Sequence, residues 1–297
     1  MVPGVRAGPQ HNVNSFGDRV MHESGLYVVA TPIGNLEDIS RRAVGILAAA
    51  DVIAAEDTRH TRVLLHEYGI ETRMLSLHEH NEEQVVPRLL SRLRAGGTIA
   101  LVADAGTPLV SDPGYRLVKA AGEEGHPVFA VPGPSALTAA LSVAGLPSDR
   151  FVFEGFLPVR APARRKRLEA LREERRTLVF FESSHRIGAC VEDMRRAFGD
   201  RRNAVICREL TKQFETVLRG DLGGLRDRLA RDPDQSRGEF VVLVGGNPQV
   251  ETPVAGLDLA RALLEYLPAS QAARVAAKLS GASRRELYSA LEEDTGK

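Results

Sequence analysis

The chain has 297 residues, 43% of them apolar and 26% charged, the balance of a folded, water-soluble protein with room for two domains and neither a disordered chain nor a membrane bundle. Lysine plus arginine equals aspartate plus glutamate at 39 each, so the net charge is zero and any nucleic-acid partner must be met by a local patch. The two cysteines, Cys190 and Cys207, lack CxxC spacing and fall on an apolar helix stripe and in an apolar strand, as reduced core residues of a cytoplasmic protein do.

Residues 1–24 are polar, Gly/Pro-rich and aperiodic, and are expected to form a disordered leader, with Met21 as a second candidate start. Order is expected from Leu26-Tyr27-Val28-Val29-Ala30, a buried strand ending in Thr31-Pro32-Ile33-Gly34-Asn35. A helix with Ile39, Ala43, Ile46, Leu47 and Ala50 follows, then the strand Val52–Ala55, which runs into Glu56-Asp57-Thr58-Arg59. A second helix carries Val63, Leu64 and Leu65; a short strand, Met74–Leu77, ends in His78-Glu79-His80-Asn81. The next helix holds Val85, Leu89, Leu90 and Leu93 and stops at Gly96-Gly97. Thr98–Val102 is an uncharged strand ending in Ala103-Asp104-Ala105-Gly106-Thr107-Pro108, with a second turn at Ser111-Asp112-Pro113-Gly114. A helix near Tyr115 to Gly125 and the strand Val128–Val131 complete the alternation.

This β-α alternation predicts a mainly parallel sheet with right-handed crossovers. The strand ends at Thr31–Asn35, Glu56–Arg59, Asp104–Pro108 and Pro132–Ser135 then share one edge, where open α/β sheets bind ligands. The stretch from Pro127 to Ser148 has no charge, but its prolines and its Ala, Ser and Thr content fit strand, turn and helix better than a bilayer span of about 20 strongly apolar residues. No membrane association is expected.

A second α/β domain begins near Phe151-Val152-Phe153-Glu154-Gly155-Phe156. Residues 160–176 form a basic helical segment that includes Arg164, Arg165, Lys166 and Arg167. The strand Thr177–Phe181 ends in Glu182-Ser183-Ser184-His185-Arg186, and the helix after it puts Ile187, Cys190, Val191, Met194 and Phe198 on one stripe. Ala204–Cys207, followed by Arg208-Glu209-Leu210-Thr211-Lys212, and residues 213–219 and 239–244 read as further strands of a mixed sheet. After a linker at 248–256, helices are expected at about 257–267, 269–280 and 284–293, with a Ser283/Glu286 capping box and a helix-turn-helix-like pairing. The expected domains are therefore 25–146, 147–247 and a helical module at 257–297, with a ligand cleft between the two α/β domains.

No GxxxxGK[ST], no GxGxxG after the first strand and no GxSxG elbow occurs, which disfavours phosphoryl transfer, dinucleotide binding and a serine hydrolase. His78-Glu79-His80 is not HExxH, and no metal is expected. What remains is a crevice of carboxylates, hydroxyls and Gly/Pro turns, suited to a neutral or zwitterionic ligand: S-adenosylmethionine, a nucleoside or an amino acid.

Val28–Asn35, Ala54–Arg59, Leu101–Pro113 and Val131–Ser135 resemble the successive motifs of the tetrapyrrole-methylase fold, and Ala30–Leu36, Ala54–Arg59, Asp104–Pro108, Gly145–Phe151, Glu154–Pro158 and Arg208–Lys212 carry a finer similarity. The finer similarity is to its branch of bacterial small-subunit (16S) rRNA cytidine 2′-O-methyltransferases, over roughly residues 25 to 245 and again in the helical tail. Where porphyrin-precursor enzymes carry Gly-Asp-Pro after the third major strand, this chain has Ala-Asp-Ala-Gly-Thr-Pro, which points to the RNA branch. The resemblance implies S-adenosylmethionine folded between two domains, a homodimer, and 16S rRNA within the small subunit as substrate. Pro32, Asp104, Ala105, Gly106, Thr107, Pro132 and Ser135 would then contact the donor. Asp57, Glu182 and Glu209 are candidate bases, and Arg59 and Lys212 candidate groups to acidify the hydroxyl or hold the adjacent phosphate. Arg164, Arg165, Lys166 and Arg167 would grip the RNA backbone. A small-molecule methyltransferase on the same fold and a DNA-binding metabolite sensor are the alternatives.

Overall fold

The computed structural model describes residues 23–247 and 253–295; all but the last two residues of the expected leader at 1–24 and most of the linker lie outside the described residues. Contacts divide the chain into one body up to Gly245 and a second from Gly246 onward.

The first sheet of the larger body takes β1 (Gly25–Val29), β2 (Val52–Ala55), β3 (Met74–Ser76), β4 (Thr98–Val102) and β5 (Val128–Val131) in the order β3-β2-β4-β1-β5, with every pairing parallel. Strand parity divides its core in two. Leu26, Ala54, Ile99 and Leu101 face α3 (Glu82–Arg94) and α4 (Tyr115–Glu123), while Tyr27, Val29, Ile53 and Val102 face α1 (Arg41–Ala49) and α2 (Thr58–Glu67). Burial on both faces explains why the inner strands β1, β2 and β4 carry continuous apolar runs. Ser40 and Asp57 cap α1 and α2 by accepting the Ala43 and Arg59 N–H groups.

The second sheet is mixed, in the order β6-β7-β10-β8-β9, built from β6 (Phe151–Phe156), β7 (Thr177–Ser183), β8 (Asn203–Arg208), β9 (Thr216–Asp221) and β10 (Glu239–Val244). Only the β6–β7 pair is parallel. One face is covered by α6 (Ala161–Ala170), α7 (Ile187–Phe198) and α8 (Leu222–Arg231), which bury Leu168, Met194 and Leu225 against Phe180 and Val242. The other face packs Val179, Val205, Cys207 and Leu243 on Ala140 and Ala144 of α5 (Ala136–Ala144) and on Ile33 of the β1 loop. That single helix joins the two sheets.

α8 is the element that the apolar pattern did not announce: its first turn holds Gly223 and Gly224, both poor helix formers, and Asp221 compensates by capping the Gly224 N–H at 2.7 Å. The smaller body holds α9 (Pro253–Leu263), α10 (Ala269–Ser280) and α11 (Arg284–Thr295) around Ala260, Ala272, Ala273, Ala276, Leu287 and Leu291. α9 begins earlier than its apolar spacing suggests, and the expected Ser283–Glu286 cap is present at 3.5 Å. No helix among the described residues is long and apolar enough to cross a membrane.

Candidate functional site

β1 and β4 are neighbours, yet the chain leaves them for opposite faces, into α1 and α4, and this reversal opens a crevice at their carboxyl ends. Across it, Thr31 and Gly106 form an isolated antiparallel bridge with N–H to O distances of 2.8 and 3.0 Å, and Thr31 Oγ1 donates to the Ala103 carbonyl at 3.3 Å. Gly106 needs its glycine: φ is +80°, and a Cβ would lie 3.3 Å from Ile33. Thr107 Oγ1 donates to the Pro134 carbonyl at 3.1 Å, fastening the same loop to the turn before α5. Ser135 stands at the N-cap of α5 without using its hydroxyl as a cap, which leaves that oxygen for a ligand.

These loops form one wall of a cleft of about 330 Å³, within the 300–1,000 Å³ range of small-molecule sites. Glu56, Asp104, Ser111 and Asp112 make it acidic on the first-sheet side, and Phe156, Phe181, Leu210 and Val241 make it apolar on the second. Burial raises the Glu56 pKa despite the Asp104 N–H that favours its charge, and neighbouring carboxylates raise it further. Asp112 is pushed up to about 7, first by burial and then by the Glu56 and Asp104 charges. An acidic floor opposite an apolar wall favours a ligand carrying a positive charge on an organic body.

Two loops facing the cleft hold non-glycine residues at positive φ: Leu109 and Ser111 (+72° and +73°), and Glu209 and Thr211 (+52° and +66°). Each costs about 1–3 kcal/mol, and such strain concentrates at ligand sites. Glu215 helps to hold the second loop by accepting the Thr211 N–H at 2.6 Å.

Of the residues expected at a donor site, Asp104, Ala105, Gly106, Thr107 and Ser135 line the cleft, whereas Pro32 and Pro132 shape the adjoining turns without lining it. Lys212 lines it too, its ammonium 2.9 Å from Glu209 and 2.8 Å from Glu239. Glu209 is engaged by that ammonium and by the Glu239 N–H; burial alone would raise its pKa, but these contacts hold it below the usual range. Asp57 is likewise held well below the carboxylate range by the Arg59 side chain, 2.6 Å away, while its own N–H donates to Asp104 Oδ1 at 2.9 Å. Arg59 reaches into solvent, its side chain 89% exposed.

Glu182 departs from the sequence expectation. Alternation along β7 puts Phe181 on the cleft face and the Glu182 carboxylate on the helix-covered face, fully buried, 3.3 Å from Arg186 and against Cys190. Glu182 thus borders the cleft with its carboxylate buried beneath the sheet and turned to Arg186, which disfavours it as the base there. The arginines of α6 also differ from expectation. Arg164 is 5% exposed and spends Nε and Nη2 on Asp193 at 2.8 and 2.6 Å, so it offers nothing to a phosphate. Arg165 joins the same carboxylate at 2.8 Å, and Arg167 grips Glu154 at 2.7 and 2.8 Å; Lys166 is exposed.

Phe181 and Cys207, at strand ends expected to close over the donor, line the cleft, whereas Glu56, Asp112 and Phe156 are site residues that the sequence does not single out. Glu56 follows β2 as Asp104 follows β4, so the strand-end rule contains the signal for it; Phe156 depends on a bulge that composition does not reveal. Among the described residues, no group of three or more His, Cys, Asp or Glu is arranged to hold a metal ion.

Comparison with known proteins adds to this geometry. The family described as Tetrapyrrole (Corrin/Porphyrin) Methylases matches residues 25–226, and the RsmI C-terminal HTH domain matches residues 250–294. The chain is 54% identical over 265 residues to Ribosomal RNA small subunit methyltransferase I of Xylella fastidiosa (strain Temecula1), covering 89% of this chain and 97% of that protein. It is 50% identical over 284 residues to the Pseudomonas aeruginosa protein of the same name, covering 93% and 100%. Among solved structures, Thermus thermophilus uroporphyrin-III C-methyl transferase complexed with S-adenyl homocysteine shares the fold, with a TM-score of 0.51, 19% identity, and coverage of 74% of this chain and 97% of that one.

Proposed function

The chain belongs to the tetrapyrrole methylase family, in its ribosomal RNA small subunit methyltransferase I group, and from that premise we propose that it methylates a cytidine 2′-hydroxyl of 16S rRNA in the small subunit. The observation that carries the reading is the cleft at the β1/β4 reversal, whose acidic floor and apolar wall suit a sulfonium-bearing donor better than a phosphate. S-adenosylmethionine supplies there an electrophilic methyl group, so the reaction needs no metal and no covalent enzyme intermediate.

The chain's own residues then have three tasks. Asp104, Ala105, Gly106, Thr107 and Ser135 bind and orient the donor, and the Thr31–Gly106 bridge keeps their loop in place. Orientation of this kind is worth up to about 7–11 kcal/mol of barrier in a two-substrate displacement. Lys212, fixed between two carboxylates, presents a cation at the rim where a hydroxyl must lose its proton or a phosphate must be held. Asp112, poised near neutrality inside the cleft, is better matched to accept that proton than Asp57 or Glu209, whose pKa values are pulled down by their partners. A homodimer working in the cytoplasm, which the resemblance implies, is part of the same reading, and the buried free cysteines fit a reducing compartment.

The test is to incubate the protein with methyl-labelled S-adenosylmethionine and small ribosomal subunits that lack the modification, then digest the rRNA to nucleosides. Label in 2′-O-methylcytidine is expected. Label on a base, or on a tetrapyrrole precursor and not on RNA, overturns the reading.

A further inference from the structure

We propose that Phe156 is a stacking platform for the nucleobase of the methylated nucleotide, which leaves the RNA stack to bring its ribose to the cleft; this rests on the RNA reading above. Pairing of β6 with β7 runs Phe151↔Thr177, Val152↔Leu178, Phe153↔Val179 and then skips a residue to Gly155↔Phe180 and Phe156↔Phe181. An unbroken ladder would set Gly155 against Phe181 and turn Phe156 toward the helix-covered side. The extra residue at Glu154 reverses that parity, so Phe156 emerges beside Phe181 on the cleft face.

The bulge is built, not incidental. Gly155 takes φ +63°, and a Cβ there would come 2.8 Å from Ser111 Oγ in the opposite wall. Glu154 is clamped by Arg167 through two hydrogen bonds of 2.7 and 2.8 Å. This gives the α6 arginine a task that its charge alone did not suggest. The product of these contacts is a large aromatic ring left 57% exposed at the cleft, backed edge-on by Phe181 at 5.7 Å. Folding stability gains little from a phenylalanine held in water, whereas a flat base gains a rigid face to lie on. Every nucleobase offers a π-face, and proteins that read unpaired RNA stack splayed bases on such side chains.

The experiment compares wild type, Phe156→Ala, Phe156→Leu and Phe156→Tyr in methyl transfer to small ribosomal subunits, with donor binding by calorimetry and thermal unfolding measured in parallel. Phe156→Ala and Phe156→Leu should lower kcat/KM by roughly ten- to a hundredfold. Phe156→Tyr should restore most of it; donor affinity should fall by much less than kcat/KM in every variant, and the unfolding temperature should stay near wild type. Unimpaired transfer by Phe156→Ala, rescue by leucine equal to tyrosine, or loss of donor affinity in step with kcat/KM overturns the inference while leaving the RNA reading intact. A wild-type protein that methylates no small subunit overturns the RNA reading, and this inference with it.

Discussion

The side chain of Lys212 lies across Gly34, so close that a Cβ on Gly34 would meet Lys212 Cε at 2.8 Å as well as the carbons before it. Through this contact the β1 loop of the first sheet is fitted to the β8–β9 loop of the second, and the ammonium is delivered to Glu209 and Glu239.

Gly34→Ala should therefore act on Lys212 and not on the backbone. The lysine chain is bound at its far end and cannot swing freely, so the variant should lose methyl transfer while its stability falls by only about 1 kcal/mol. Steady-state kinetics beside urea unfolding checks this; unchanged kinetics would place Lys212 outside the reaction.

Arg164→Ala should destabilise the protein by about 3 kcal/mol, because it strips a buried carboxylate, Asp193, of its principal partner. Lys166→Ala, at an exposed position, should stay within about 0.5 kcal/mol of wild type. Urea unfolding gives both values. If Arg164→Ala instead left stability intact and flattened the salt dependence of subunit binding, the residue would be a phosphate contact after all.

Asp112 titrates near 7 in the folded chain against an ordinary carboxyl value of 3.8. The folded state thus holds this proton more tightly than the unfolded chain, so the stability it contributes is complete below about pH 4 and is lost as pH rises through 7. Asp112→Asn should unfold at higher urea than wild type at pH 8, with the gap closing toward pH 4. Its methyl transfer should be poor, without the rise through pH 7 expected of wild type. Parallel stability profiles for the two proteins would contradict the shift.

Much of this fold is legible in the residues, because strands buried on both faces must be apolar throughout and their ends must turn on Gly, Pro or a carboxylate. Thr98–Val102 and Asp104 are an example, and the same logic reaches the Thr31–Asn35 loop. Legibility fails where a side chain's direction depends on a partner distant in sequence. Glu182 looks available until strand parity turns it to Arg186; Arg164 looks like surface charge until Asp193, on another helix, takes it inside. Phe156 is hidden for a related reason, since one extra residue in β6 decides which face it joins. α8 is hidden by its own two glycines, whose low helix propensity is offset by a cap and by Leu222, Leu225 and Leu229 meeting the core.

Calorimetry of S-adenosylmethionine binding to wild type and Asp104→Ala tests most directly whether Asp104 to Thr107 hold the methyl donor. Asp104 accepts the Asp57 N–H and lines the cleft, but it lies in a surface loop outside the apolar core, so the variant should fold and unfold much as wild type does. Donor affinity should fall at least tenfold while the unfolding transition is retained. Wild-type affinity in the Asp104→Ala protein would contradict this and move the donor site elsewhere.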